Sequence, residues 1–138
     1  MSWFIWALLS AFFAGITAIL AKVGVQNINS NLATAIRSVV IVAFAWSIAL
    51  FSQHDPISTI GKRTWIFLIL SGIATGLSWL CYFRALQIGE ASRVAPVDKL
   101  SVLIAIILAA VFLHERLSWH HWVGGLLIFG GAAVIAYA

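Results

Sequence analysis

Five ionisable side chains stand inside or at the edge of strongly apolar stretches: Lys22, Arg37, Arg84, Asp98 and Lys99. A charge carried into hydrocarbon is unfavourable, and where one is kept it binds a solute, relays protons or pairs with another charge. The segment "VAPVDKLSVLIAIILAA", Val94–Ala110, poses the question most sharply, because a proline, an aspartate and a lysine open an otherwise apolar run. Long cationic side chains can reach a membrane surface by snorkelling. Asp98 is short and anionic, so it needs a cation or several donors. Lys99 adjoins it, but successive helical residues point about 100° apart. A cation from another helix, from among Lys22, Arg37 and Arg84, is therefore the expected partner.

Asp98, Ser101, Ala105 and Ala109 share one helical face, a small and polar stripe suited to a bundle interior. Pro96 is expected in the first turn of this helix, where a missing amide hydrogen costs little; the alternative is a break that frees carbonyls near a cavity. The candidate cavity or gate residues are Lys22, Arg37, Tyr82, Arg84 and Asp98, with Trp46, Ser78 and Trp79 behind them. Asp98 and Glu115 are the acids placed to couple protons, since a carboxyl group in a low-dielectric site holds its proton more tightly. Glu115 has a structural alternative, pairing with Arg116 or sitting at a helix junction. His54, His114, His120 and His121 fall toward one end with Asp55 and Glu115, but their spacing matches no closed metal motif. Cys81 is the single cysteine, which excludes an internal disulfide. No metal, cofactor or enzymatic reaction is expected.

These residues need elements to hold them, and composition says which. The chain has 138 residues, 63% hydrophobic and 9% charged, against about a quarter charged in soluble proteins. Its natural solvent is a bilayer, which admits helices and closed barrels alone. A spanning helix needs about 20 mainly apolar residues. Five segments fit, at about 3–21, 32–51, 65–88, 94–113 and 119–137. They predict an all-α membrane protein with a single transmembrane domain over residues 1–138. The opening "MSWFIWALLSAFFAGITAIL" reads as the first span. It has no basic lead, and its apolar run exceeds the usual leader core of about 7–15 residues.

Local signals mark the ends. Asn31 and Ser118 are expected to cap the second and fifth helices. Trp3, Trp6, Trp65, Trp119 and Trp122 suit an interfacial belt. Close helix contacts are expected at small residues: Gly72 and Gly76 in the third helix, and Gly124 with Gly131, or Gly125 with Ala132, in the fifth. The heptad spacing of Gly124 and Gly131 serves a contact within the chain or across a dimer.

The net charge of +4 comes from basic residues scattered at segment ends. They are read as topology signals, not as a nucleic-acid surface. With five spans, Lys22, Arg37, Arg84, Arg93 and Lys99 belong to one membrane face, and Lys62, Arg63 and Arg116 to the other. So weak a bias leaves two readings: one orientation with the N-terminus outside and the C-terminus in the cytoplasm, or two copies in opposite orientations, an antiparallel pair that would recreate the inverted repeat of many transporters.

The segment "ALQIGEASRVAPVDKLSVLIAIILAAVFLHERLSWHHWVGGLLIFGGAAVIA" resembles the EamA-type repeat of the drug/metabolite transporter superfamily. It places "GEAS", a proline-bearing fourth helix, Glu115 in "HERLS" and a glycine-rich last helix in order. The resemblance implies half of an inverted-repeat fold, as in five-span bacterial members. It also implies secondary transport of a small solute by alternating access, with a homodimer in the inner membrane. Helices one to four would line the cavity, and the fifth would provide packing or dimer contacts. The alternative is a half-transporter or assembly subunit that needs a different partner chain. Small multidrug exporters of this superfamily use a first-helix glutamate, and the first span here has no acid. The net positive inner cluster instead favours an anionic or zwitterionic solute.

Overall fold

The computed structural model describes residues 2–52 and 56–138. Its helices are α1 (Trp3–Val25), α2 (Ser30–Phe51), α3 (Lys62–Ile88), α4 (Ala91–Asp98), α5 (Ser101–Phe112) and α6 (Trp119–Tyr137), with a 3₁₀ turn at Ile57–Thr59. Counting Ala91–Phe112 as one interrupted span, five segments among the described residues are long and apolar enough to cross a membrane. No strand occurs among those residues. The all-α, five-span expectation holds. Helix α1 runs on to Val25, which puts Lys22 in its last turn, and α3 starts at Lys62, ahead of Trp65.

Most apolar side chains on these helices are exposed, among them Phe44, Leu50, Leu70 and Leu127. Hydrocarbon is as apolar as leucine, so such a surface carries no penalty in a bilayer. The interfacial tryptophans Trp3, Trp6, Trp65, Trp119 and Trp122 are exposed as well, each within the first turns of its helix. Polar side chains within the spans are satisfied locally. The hydroxyls of Thr34, Ser38, Ser47 and Thr75 each donate to the carbonyl four residues earlier, at 2.7–2.9 Å. That bond lets a hydroxyl sit in a lipid-facing helix without an orphaned polar group.

The chain divides into two compact units, one formed by residues up to Ala21 with Ile88–Ala138, the other by Lys22–Gln87. In the first, α6 packs against α4 and α5. Gly125 and Ala132, seven residues apart, are buried on α6. A Cβ on Gly125 would lie 2.7 Å from Leu103 Cδ2, too close for the two to coexist undisturbed. Gly124 and Gly131 face open space, with nothing within 4 Å of a Cβ at either. The close contact within the chain therefore uses the Gly125/Ala132 stripe and not the Gly124/Gly131 stripe. One residue of offset turns a helix face by about 100°.

The fourth span departs most from expectation. It is two helices with a break at Lys99–Leu100, and Pro96 lies inside α4, not at its start. Glu90 is the N-cap, so the helix begins five residues before the proline. Pro96 has no amide hydrogen and crowds the carbonyl four residues back. Beyond it the chain tightens: Lys99 and Leu100 donate to Pro96 and Val97, and Val102 and Leu103 donate to Lys99 and Leu100, all three residues back. Just beyond α5 and its C-cap Leu113, His114 lies in the left-handed region, at φ 53°, where histidine is one of the more tolerant non-glycine residues.

Caps close the other ends. Asn29, not Asn31, caps α2: its Oδ1 accepts from the amides of Asn31 and Leu32 at 2.8 and 3.4 Å. The helix begins at Ser30, so Asn31 is already inside it. Ser118 caps α6 as expected. Its amide donates to His121 Nδ1 at 3.1 Å, and its hydroxyl lies 2.9 Å from the same nitrogen. His121 takes the place usually filled by glutamate or glutamine in a capping box.

The unit Lys22–Gln87 is tied by an exchange between two helix C-termini. Lys22 Nζ donates to the Leu86 carbonyl at 2.6 Å. Gln87 Nε2 donates back to the carbonyls of Ile28 and Val25, at 2.8 and 3.4 Å. Arg84 Nη1 donates to Gln87 Oε1 at 2.6 Å, which orients the amide with its NH₂ toward those carbonyls. The last carbonyls of a helix have no partner in their own ladder and carry the negative end of its dipole. Here Lys22 serves a carbonyl in the last turn of α3, and Gln87 serves the last carbonyl of α1 and one in the turn that follows it. Val25 and Leu86, the largest fully buried side chains, pack at this tie.

Two substitutions test these contacts by thermal unfolding in detergent micelles. Gly125→Ala is expected to cost under about 1 kcal/mol, because the Leu103 methyl can swing aside, and Gly125→Leu about 1–3 kcal/mol by overpacking. Equal midpoints for the two would refute the close contact. Gln87→Leu removes the donor to Val25 and Ile28 and strands Arg84, and a loss of about 1–3 kcal/mol is expected. An unchanged midpoint would mean that the tie contributes nothing.

Candidate functional site: a membrane-embedded arginine on an aromatic face

Arg37 lies seven residues into α2, about 10 Å along the axis from Ser30. Its guanidinium carbon stands 4.6 Å from the ring centroid of Trp79 and 5.3 Å from that of Phe83. Trp79 and Phe83 are four residues apart on α3 and so lie on one face in successive turns. Phe83 is buried, and Arg37 and Trp79 are half-buried. Tyr82, next to Phe83, lies within electrostatic range of the guanidinium. Among the described residues no carboxylate pairs with Arg37 and no carbonyl or hydroxyl accepts from it. The neighbouring hydroxyls of Thr34 and Ser38 are turned onto the carbonyls of their own helix.

The expected site residues fall into three groups. Arg37, Trp79 and Tyr82 come together in the unit Lys22–Gln87, joined by Phe83, which the sequence reading did not single out. Lys22 and Arg84 belong to the same unit but act at the helix ends, Lys22 on the Leu86 carbonyl and Arg84 on Gln87. Gln87 was also missed, because an exposed-looking glutamine near a helix end carries no hydropathy signal; its place three residues after Arg84 was the available clue. Trp46 and Ser78 are exposed, and no ring contact or hydrogen bond joins either to Arg37. An open apolar depression lined by Phe44, Ser47, Ile48, Phe51 and Ser52 holds no ionisable group.

Asp98 ends α4 in the other unit, and its ion pair is with Lys99, at 3.4 Å. That corrects the expectation of a partner from another helix. The 100° separation applies inside a regular helix, and Lys99 stands where the helix breaks, on a long side chain able to fold back. Glu90 pairs with Arg93 at 3.2 Å, three residues on, in an exposed pair worth about 0.2–1 kcal/mol. No ion pair joins Glu115 to Arg116 among the described residues. His54 and Asp55 lie outside the described residues, within which no three histidine, cysteine or acidic side chains stand together as metal ligands.

Comparison with known proteins identifies the family. Residues 1–137 match the EamA-like transporter family. A protein of Sinorhizobium sp named "Uncharacterized transporter in cobO 3'region" is 53% identical over 98% of this chain and 96% of its own length. "Uncharacterized transporter YxxF" of Bacillus subtilis is 27% identical over 94% of this chain, which covers 41% of that protein. A probable 4-amino-4-deoxy-L-arabinose-phosphoundecaprenol flippase subunit, ArnE, of Aeromonas salmonicida is 30% identical over 60% of this chain and 73% of its own length. No solved structure matches. A family match along nearly the whole chain, five spanning helices and a relative of the same length agree: the chain is a multi-pass membrane protein of the EamA-like transporter family.

Proposed function

We propose that the protein is a secondary transporter of a small anionic or zwitterionic metabolite, working by alternating access as a homodimer in the inner membrane. The observation that carries this reading is the set of cations in the Lys22–Gln87 unit. The sequence there holds Lys22, Arg37, Lys62, Arg63 and Arg84 against the single acid Asp55. Among the described residues Arg37 lies over aromatic rings and pairs with no carboxylate. A transporter of cationic solutes needs the reverse balance, an acid facing the solute. The family match supports transport, and the chain contains no phosphate-binding glycine-rich loop that would point to nucleotide hydrolysis. Catalysis forms no part of this reading.

The homodimer rests on size. This chain covers 41% of YxxF, so two copies approximate the length of such a relative. Gly124 and Gly131 leave an open small-residue stripe on α6, the kind of surface on which spanning helices associate. An antiparallel pair would present one Arg37 toward each membrane face, the symmetry that alternating access requires. Asp98, beside the break in the fourth span, is proposed as the acid that couples protons, with Glu115 as the second choice.

The second reading is a half-transporter that works with a different chain. The similarity to a protein named as a flippase subunit favours it. Liposomes containing only this protein separate the two. Exchange of radiolabelled anionic or zwitterionic solutes is expected, with Asp98→Asn slowing it without loss of membrane insertion. No exchange across a broad solute panel, together with a second chain that copurifies in fixed ratio, would overturn the homodimer. Reporters fused to both termini are expected to signal from both faces. A single fixed orientation would exclude the antiparallel pair.

A further inference from the structure

We infer that the edge of the Arg37 guanidinium, backed by Trp79 and Phe83, is an oxyanion-binding site that takes one carboxylate or phosphate group. This rests on the transport reading above and assigns the group in the protein that meets the solute. Other cations have acceptors of their own: Lys22 donates to the Leu86 carbonyl, Arg84 to Gln87, Arg93 to Glu90 and Lys99 to Asp98. Arg37 differs from all of them. Its planar face lies over rings, and its five N–H donors point along the edge of the plane.

A ring face attracts the cation but accepts no hydrogen bond of ordinary strength, and such contacts stabilise by about 0.5–1 kcal/mol at exposed sites. That is small beside the cost of holding an arginine 10 Å or so along a spanning helix. The charge and its donors call for an acceptor beyond the described residues of the unit. Two coplanar oxygens match the fork of a guanidinium, as in carboxylate and phosphate. The rings fix the plane of that fork in advance. Phe83 is 3% exposed, so its surroundings restrict the ring and orient the guanidinium before any ligand arrives.

Two sources can supply the oxyanion, a free solute or a phospholipid headgroup, and the experiment separates them. The full chain is purified in alkyl-maltoside micelles, which contain no phosphate. It is titrated with sodium phosphate and sodium acetate at constant ionic strength, with choline chloride as the cation control, and tryptophan emission is followed. A saturable response to an oxyanion and none to choline is expected. Arg37→Gln should abolish it, and Arg37→Lys should weaken it by about ten-fold or more, as for the loss of one charge-assisted hydrogen bond. A silent titration accompanied by phospholipid that native mass spectrometry finds on the wild type, and not on Arg37→Gln, identifies the oxyanion as a headgroup and still supports the site. Equal responses, or equal lipid retention, in wild type and Arg37→Gln would overturn the proposal, provided both retain the same helical circular dichroism.

The transport reading fails separately. Exchange in liposomes that continues with an unchanged KM in Arg37→Gln removes the site and leaves the transporter. Oxyanion binding that depends on Arg37, with no exchange by the protein alone, removes the homodimeric transporter and leaves the site.

Discussion

Hydrocarbon offers no hydrogen bonds, and every polar group carried into it must find its partner inside the chain. This constraint organises the molecule. Within the spans the main chain is closed by helix formation, and serine and threonine hydroxyls fold back onto carbonyls one turn earlier. At the ends, where the helical ladder runs out, side chains take over: Asn29 at the start of α2, Ser118 and His121 at α6, and Lys22 and Gln87 where α1 and α3 terminate. Charge obeys the same rule. Lys22, Arg84, Arg93 and Lys99 have acceptors, whereas Arg37, farther inside its span than Arg63 is in α3, lies over two rings.

The five spans were legible because hydropathy and length are properties of side-chain sums, which survive ignorance of packing. Leu103 against Gly125 was half-legible. The small residues predicted a close contact on the last helix, but two stripes of equal spacing competed, and a rotation of 100° decides between them. The partner of Asp98 was not legible, because neighbours point 100° apart only in a regular helix and Pro96 interrupts this one. Once Pro96 sits five residues inside α4, the ladder tightens and the next two residues leave it. The cap at α2 moved from Asn31 to Asn29 for a related reason: with two asparagines two positions apart, only the start of the helix says which is outside.

The candidate site was legible in its residue types and not in its grouping. Hydropathy marks Lys22, Arg37 and Arg84 as equally anomalous, three cations in apolar surroundings. Geometry makes them unlike. Lys22 answers a main-chain carbonyl and Arg84 a glutamine, and each thereby becomes part of the scaffold. Arg37 meets π-faces and keeps its donors. No pattern in one dimension distinguishes these fates, because the acceptors in question are backbone oxygens and the rings belong to a helix more than forty residues away.

The exchange between the ends of α1 and α3 has an evolutionary side. Its acceptors, at Val25, Ile28 and Leu86, are carbonyl oxygens that every amino acid possesses. Those three positions can drift among apolar residues without touching the bonds. The genetic information for the fastening resides in Lys22 and Gln87, with Arg84 as their support. A lineage could remodel most of this surface to suit a new solute or a new lipid and still inherit the fastening from three codons.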